Sequence, residues 1–94
     1  MADSKPDIRI YGTEFCSYCT AARMLLKKKG LDYEDILVSR DDALRTEMEE
    51  RSGRHTVPQI FINDQHVGGF DDLHSLDQDG RLDDLLGLTT SDAQ

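Results

Sequence analysis

The chain has almost no cysteine: two in 94 residues, both within Cys16-Ser17-Tyr18-Cys19. That excludes the disulfide framework of a small secreted domain. A bridge between residues three apart would close too small a loop to stabilise a fold much by restricting the unfolded chain. Long apolar runs are missing as well. Stretches such as Met24-Leu25-Leu26 and Ile36-Leu37-Val38 are among the longest, so no segment is expected to span a bilayer. Residues Met1 to Asp7 lack the apolar stretch of a signal peptide, and a soluble cytoplasmic protein is the expectation. Positive charge is scarce, with 11 Lys and Arg against 19 Asp and Glu and a net charge of −8. A nucleic-acid partner is therefore not expected, because phosphate recognition needs a basic face. The first 30 residues are net positive and the rest acidic, which reads as a well-solvated surface. There are no internal repeats, low-complexity segments or linkers.

What is present suits one small folded unit. A hydrophobic content of 37% with 32% charged residues supports a modest core within a single domain spanning 1–94, with 7–88 as its folded part and 1–6 and 89–94 as frayed tails. Asp7-Ile8-Arg9-Ile10-Tyr11 alternates polar and apolar and ends at Gly12, predicting a strand. From Ser17 to Lys29, Cys19, Ala22, Leu25 and Leu26 recur at spacings of three and four. Lys27-Lys28-Lys29 suits a helix C-terminus, and Gly30 supplies the stop. Tyr33 to Val38 predicts a second strand. Ser39 then reads as an N-cap with Asp42 three residues on, and Leu44 and Met48 give a thin core stripe ending at Ser52-Gly53. Val57 to Ile62, Asn63-Asp64 and Gln65 to Val67 read as strand, turn and returning strand, with Pro58 at the strand's start. Helix-spaced leucines over 71–79 and 82–88, separated by Gly80, close the chain.

The predicted order is β-α-β-α-β-β-α-α. A right-handed βαβ unit makes the first two strands parallel, and the hairpin adds an antiparallel pair to the same sheet. The fold class is α/β, a four-stranded mixed sheet flanked by helices. Cys16 falls at the junction of strand one and helix one, where unpaired N–H groups and the helix dipole favour an anion. The Cys-x-x-Cys spacing points to redox chemistry or to half of a metal site. Zinc would need two more ligands, and His55, His66 and His74 show no ligand-like spacing with the cysteines. Tyr18 reads as a surface aromatic or a ligand contact, and Asp71 and Asp72 as N-cap and first-turn acids.

Three segments together, Tyr11-Gly12-Thr13-Glu14-Phe15-Cys16-Ser17-Tyr18-Cys19, Thr56-Val57-Pro58 and Gly68-Gly69-Phe70-Asp71-Asp72, resemble the signature segments of the glutaredoxins. Arg51-Ser52-Gly53-Arg54 and Val57-Pro58-Gln59-Ile60-Phe61-Ile62 further resemble the small bacterial dithiol members of the glutaredoxin 3 type. The resemblance implies a thioredoxin fold and a glutathione-dependent oxidoreductase acting in electron transport and cell redox homeostasis. Cys16 would be the nucleophile and Cys19 the resolving thiol, joined by a disulfide bond in the oxidised state.

The same resemblance implies a glutathione site. Tyr18 would wall a groove, and a cis bond before Pro58 would turn the N–H and C=O of Val57 towards the cysteine of glutathione. Gly69, Phe70, Asp71 and Asp72 would hold the γ-glutamyl end, and Arg45 and Thr56 the glycine carboxylate. Partners would be disulfide-containing or glutathionylated proteins and, indirectly, glutathione reductase, with the enzyme monomeric. An alternative is a dimer bridging a [2Fe-2S] cluster through Cys16 and bound glutathione. A thioredoxin-like reductant served by a flavoenzyme would leave the glutathione segments without a purpose. Two positions depart from the family pattern: Thr13 stands where a basic residue is frequent, and Ser17 replaces a frequent proline.

Overall fold

In the computed structural model, residues 6–86 are described. The elements run β1 (Ile8–Gly12), α1 (Ser17–Lys28), β2 (Glu34–Leu37), a 3-10 turn (Val38–Arg40), α2 (Asp42–Ser52), β3 (Gln59–Ile62), β4 (Gln65–Gly68), α3 (Phe70–Gln78) and α4 (Arg81–Leu86). The sheet order is β2-β1-β3-β4. β1 pairs parallel with β2 and antiparallel with β3, and β3 pairs antiparallel with β4. This is the mixed four-stranded α/β sheet the sequence pattern predicts.

Successive strand residues face opposite sides of a sheet, and the core divides accordingly. Ile8, Ile10, Ile60 and Ile62 pack with Ala22, Leu26, Leu73, Leu82 and Leu86, so α1, α3 and α4 cover one face. Tyr11 and Phe61 alternate with them and meet Val38 and Met48 beneath α2 on the other. The two Asn63-Asp64 residues of the hairpin both have positive φ, 52° and 66°, the geometry a two-residue hairpin turn needs.

Three local expectations are corrected. Ser39 does not cap α2: it lies in the 3-10 turn and donates to Glu14, while Asp41 accepts from the Ala43 N–H at 2.9 Å and caps the helix. Val38 leaves the strand because it opens that turn, burying its side chain against α2. Asp71 is not a cap. Gly69 holds the N-cap position of α3, and Asp72 reaches back to the Gly69 N–H at 3.0 Å, a carboxylate three residues on satisfying the free donor. The expected frayed tails, residue 6 aside, and Leu88 of the last helix lie outside the described residues. Among the described residues, no helix is long and apolar enough to cross a membrane.

Candidate active site

Parallel pairing of β1 with β2 brings the chain out of the sheet centre into a short loop and directly into α1, and Cys16 is the residue at that junction. It holds the N-cap position with extended backbone, φ −92° and ψ 121°. Its sulfur makes no full capping hydrogen bond as a thiol, but the backbone N–H groups of the first turn face it. Burial works against ionisation of Cys16. The N–H groups of Cys19 and Tyr18, the Cys19 thiol and the charge of Arg23 outweigh it, so the thiol ionises below its ordinary value. An anion at a helix N-terminus is the arrangement that makes a reactive thiolate.

Cys19, one turn on, is fully buried. Burial first, then the Cys16 sulfur beside it, push its thiol up to about 11 against the opposing Thr13 N–H and Arg23. One accessible, acidic thiol thus lies next to one buried, weakly acidic thiol, both reduced here. Gly12 makes the packing possible, because a Cβ built there would sit 2.8 Å from Cys19 Sγ. Among the described residues no group of three or more His, Cys, Asp or Glu could hold a metal ion.

A cleft of about 280 Å³ opens beside Cys16. The Val57–Pro58 peptide is cis, and the Val57 carbonyl lies 3.9 Å from Cys16 Sγ, within reach of the thiol as donor. Tyr18 and Phe70 form one wall, with ring centroids 6.2 Å apart. Thr56, Val57 and Pro58 form another, and Gly69, Asp71 and Asp72 at the start of α3 close the end. Larger hollows lie between β4 and the α3–α4 pair and between α1 and α3. Neither is lined by Val57, whose carbonyl faces Cys16 Sγ, so the smaller cleft is the one relevant to thiol chemistry.

Of the residues expected at the site, Tyr18, Thr56, Val57, Pro58, Gly69, Phe70, Asp71 and Asp72 come together in this cleft. Arg45 does not line it: its guanidinium donates to the His55 carbonyl at 3.3 Å and so braces the loop approaching Thr56. The cation that does line the cleft is Arg54, paired with Asp72 at 3.3 Å. Arg54 has no role in the sequence pattern alone, where its place two residues before Thr56 is the available signal. Gln59 reads in sequence as an ordinary strand residue, yet it is fully buried and bonded to Thr56.

A family model described as Glutaredoxin matches residues 8–67. The chain is 50% identical over 80 residues to glutaredoxin 3 of Escherichia coli (strain K12), covering 85% of this chain and 96% of that one. The solution structure of a glutaredoxin from Brucella melitensis superposes with a TM-score of 0.81 at 48% identity, covering 94% of this chain and 96% of the other. A buckwheat glutaredoxin–glutathione complex superposes with a TM-score of 0.81 at 27% identity, covering 87% and 77%.

Proposed function

Given that the chain belongs to the glutaredoxin family, whose members are thiol–disulfide oxidoreductases with the thioredoxin fold, we propose that it reduces disulfides at the expense of glutathione. The observation that carries this reading is the pairing of an acidic, accessible Cys16 with a cleft built from Tyr18, the Thr56–Pro58 segment and the α3 N-terminus. The buckwheat protein's complex with glutathione supports the choice of reductant.

On a glutathionylated protein, the Cys16 thiolate attacks the glutathione sulfur and the protein thiolate leaves. A second glutathione thiolate then attacks the Cys16 mixed disulfide, releasing glutathione disulfide and restoring Cys16. On a protein disulfide, Cys16 attacks first and Cys19 resolves the mixed disulfide, and two glutathiones reduce the resulting Cys16–Cys19 bond. Glutathione lies in the cleft with its cysteine against the Val57 backbone as a short strand addition. Its γ-glutamyl carboxylate meets the N–H groups of Phe70 and Asp71 at the start of α3, and its ammonium meets an acid there. Arg54 and Thr56 serve the glycine carboxylate. The enzyme works as a cytoplasmic monomer, and a separate glutathione reductase returns glutathione disulfide to the thiol.

The test is a coupled assay with glutathione, glutathione reductase and a glutathionylated peptide. Steady turnover dependent on glutathione is expected, and turnover with thioredoxin reductase but none with glutathione would overturn the reading.

A second activity is favoured by Ser17, which is exposed at the first position of α1 where a proline ring would crowd Cys16. Among the described residues the accessible thiol is Cys16, so a [2Fe-2S] cluster would need two chains and two glutathiones to reach four thiolates. Anaerobic reconstitution with iron, sulfide and glutathione is expected to give a coloured dimer that Ser17→Pro weakens and Cys16→Ser eliminates. A colourless monomer removes this activity and leaves the oxidoreductase.

A further inference from the structure

Thr13 stands where a cation is frequent, yet a cation lies behind the thiols. Arg23 follows Cys19 by four residues in α1, so the two share a helix face. Its side chain is only 15% exposed. Nη2 donates to the Thr13 carbonyl at 3.0 Å, and Nε donates to Asp35 Oδ1 on β2 at 3.1 Å. Gly12 shows how close this charge comes to sulfur: one Cβ built there would lie 2.8 Å from Cys19 Sγ and 3.4 Å from Arg23 Nη2. The guanidinium and the buried sulfur therefore both border the space of that one methyl group. Cys16, at the surface, draws its acidity chiefly from the first-turn N–H groups. A charge acts more strongly on a buried group than on one screened by water.

We propose that Arg23 is a positioning residue for the resolving step, stabilising the Cys19 thiolate as it attacks the Cys16 mixed disulfide and so favouring the two-thiol route over release by glutathione. The proposal rests on the thiol–disulfide reading above and deepens it. In the reduced protein the Cys16 sulfur opposes ionisation of Cys19. Once Cys16 is in a mixed disulfide that sulfur is neutral, and Arg23 and the Thr13 N–H act unopposed by it. Cys19 gives its proton to solvent and its sulfur attacks Cys16 Sγ. The Cys16–Cys19 bond forms as the bond to the substrate sulfur breaks, and the departing thiolate takes up a proton. The groups facing Arg23 are the Thr13 carbonyl, the two cysteines, Asp35 and Tyr33. Asp35 is the one carboxylate among them, and by pairing with Arg23 it moderates the effect.

Three substitutions test this in the full chain: Arg23→Gln, Arg23→Lys and Asp35→Asn. Each is assayed for protein-disulfide reduction, which uses Cys19, and for glutathione-driven deglutathionylation, which does not. In a Cys16→Ser background, the Cβ carbon chemical shift of Cys19, followed by NMR across pH, gives the Cys19 titration midpoint. Arg23→Gln is expected to raise that midpoint by about one unit and to slow protein-disulfide reduction about threefold, the tenfold loss of thiolate being partly offset by the greater nucleophilicity of the more basic sulfur, well beyond its effect on deglutathionylation. Arg23→Lys restores most of the loss. Asp35→Asn lowers the midpoint. An unmoved midpoint in Arg23→Gln, or equal loss of both activities, overturns the proposal. If Arg23→Gln does not fold, Asp35→Asn decides by its opposite sign, and an unmoved or raised midpoint overturns it. Failure of the unsubstituted chain to use glutathione on either substrate would instead sink the reading beneath it.

Discussion

The side-chain amide of Gln59 donates to both oxygens of Thr56, the carbonyl at 3.0 Å and the hydroxyl at 3.2 Å. Its own oxygen lies 2.7 Å from His66 Nε2. Because the amide nitrogen is spent on Thr56, the oxygen must accept, which assigns the His66 proton to Nε2. A fully buried polar side chain thus ties the cleft residue Thr56 to β4 across the start of β3. Gln59→Leu is expected to cost about 1–3 kcal/mol in denaturant unfolding, the range for orphaning buried polar partners. It should also raise the KM for glutathione while leaving the pH dependence of Cys16 alkylation in place. A KM that does not change would show that the network supports the core without shaping the cleft.

The two thiols should divide their labour. Cys16→Ser is expected to abolish exchange on every substrate. Cys19→Ser should retain deglutathionylation, since a second glutathione can resolve Cys16, while protein-disulfide reduction falls at least about tenfold. Rates on the two substrate classes measure this directly, and loss of deglutathionylation in Cys19→Ser would refute the assignment.

Their ionisation predicts a separation in pH. Alkylation follows the thiolate. A lowered Cys16 value means its thiolate persists to lower pH, so alkylation should rise with pH with its midpoint below the ordinary thiol value of 9.0. Cys19, raised to about 11, should stay protonated and unmodified through neutral pH. Mass spectrometry of iodoacetamide-treated protein across a pH series reads both sites, and modification of Cys19 ahead of Cys16 would contradict the order.

Neighbouring acids at the start of α3 should behave differently. Asp72 reaches back to the Gly69 N–H and pairs with Arg54, so Asp72→Ala is expected to lower stability by about 0.3–1.5 kcal/mol as well as raise the KM for glutathione. Asp71 is exposed, lines the cleft and is not the cap, so Asp71→Asn should raise KM with little change in melting temperature. Thermal melts beside glutathione titrations separate the two. A stability loss confined to Asp71→Asn would mean the capping role had been given to the wrong carboxylate.

Much of this molecule was determined by local pattern. Alternation over Ile8 to Tyr11, three-and-four spacing of Cys19, Ala22 and Leu26, glycine stops and the Asn63-Asp64 turn each act within a few residues, so the element order and the sheet could be read in one dimension. The same holds for the pair of cysteines and for the strand–helix junction that makes Cys16 the acidic one. Tertiary structure alone decided which charges and amides serve those thiols. Arg23, Asp35 and Thr13 meet through the parallel pairing of β1 with β2, and Gln59, Thr56 and His66 through the β3–β4 register. Arg54 rather than Arg45 lines the cleft because α2 ends at Gly53, with φ 73°, and the chain after it passes directly into the cleft wall. Electrostatic and hydrogen-bond partnerships depend on distance in space, and Arg23 reaches Asp35, on the next strand, only once β2 has paired beside β1.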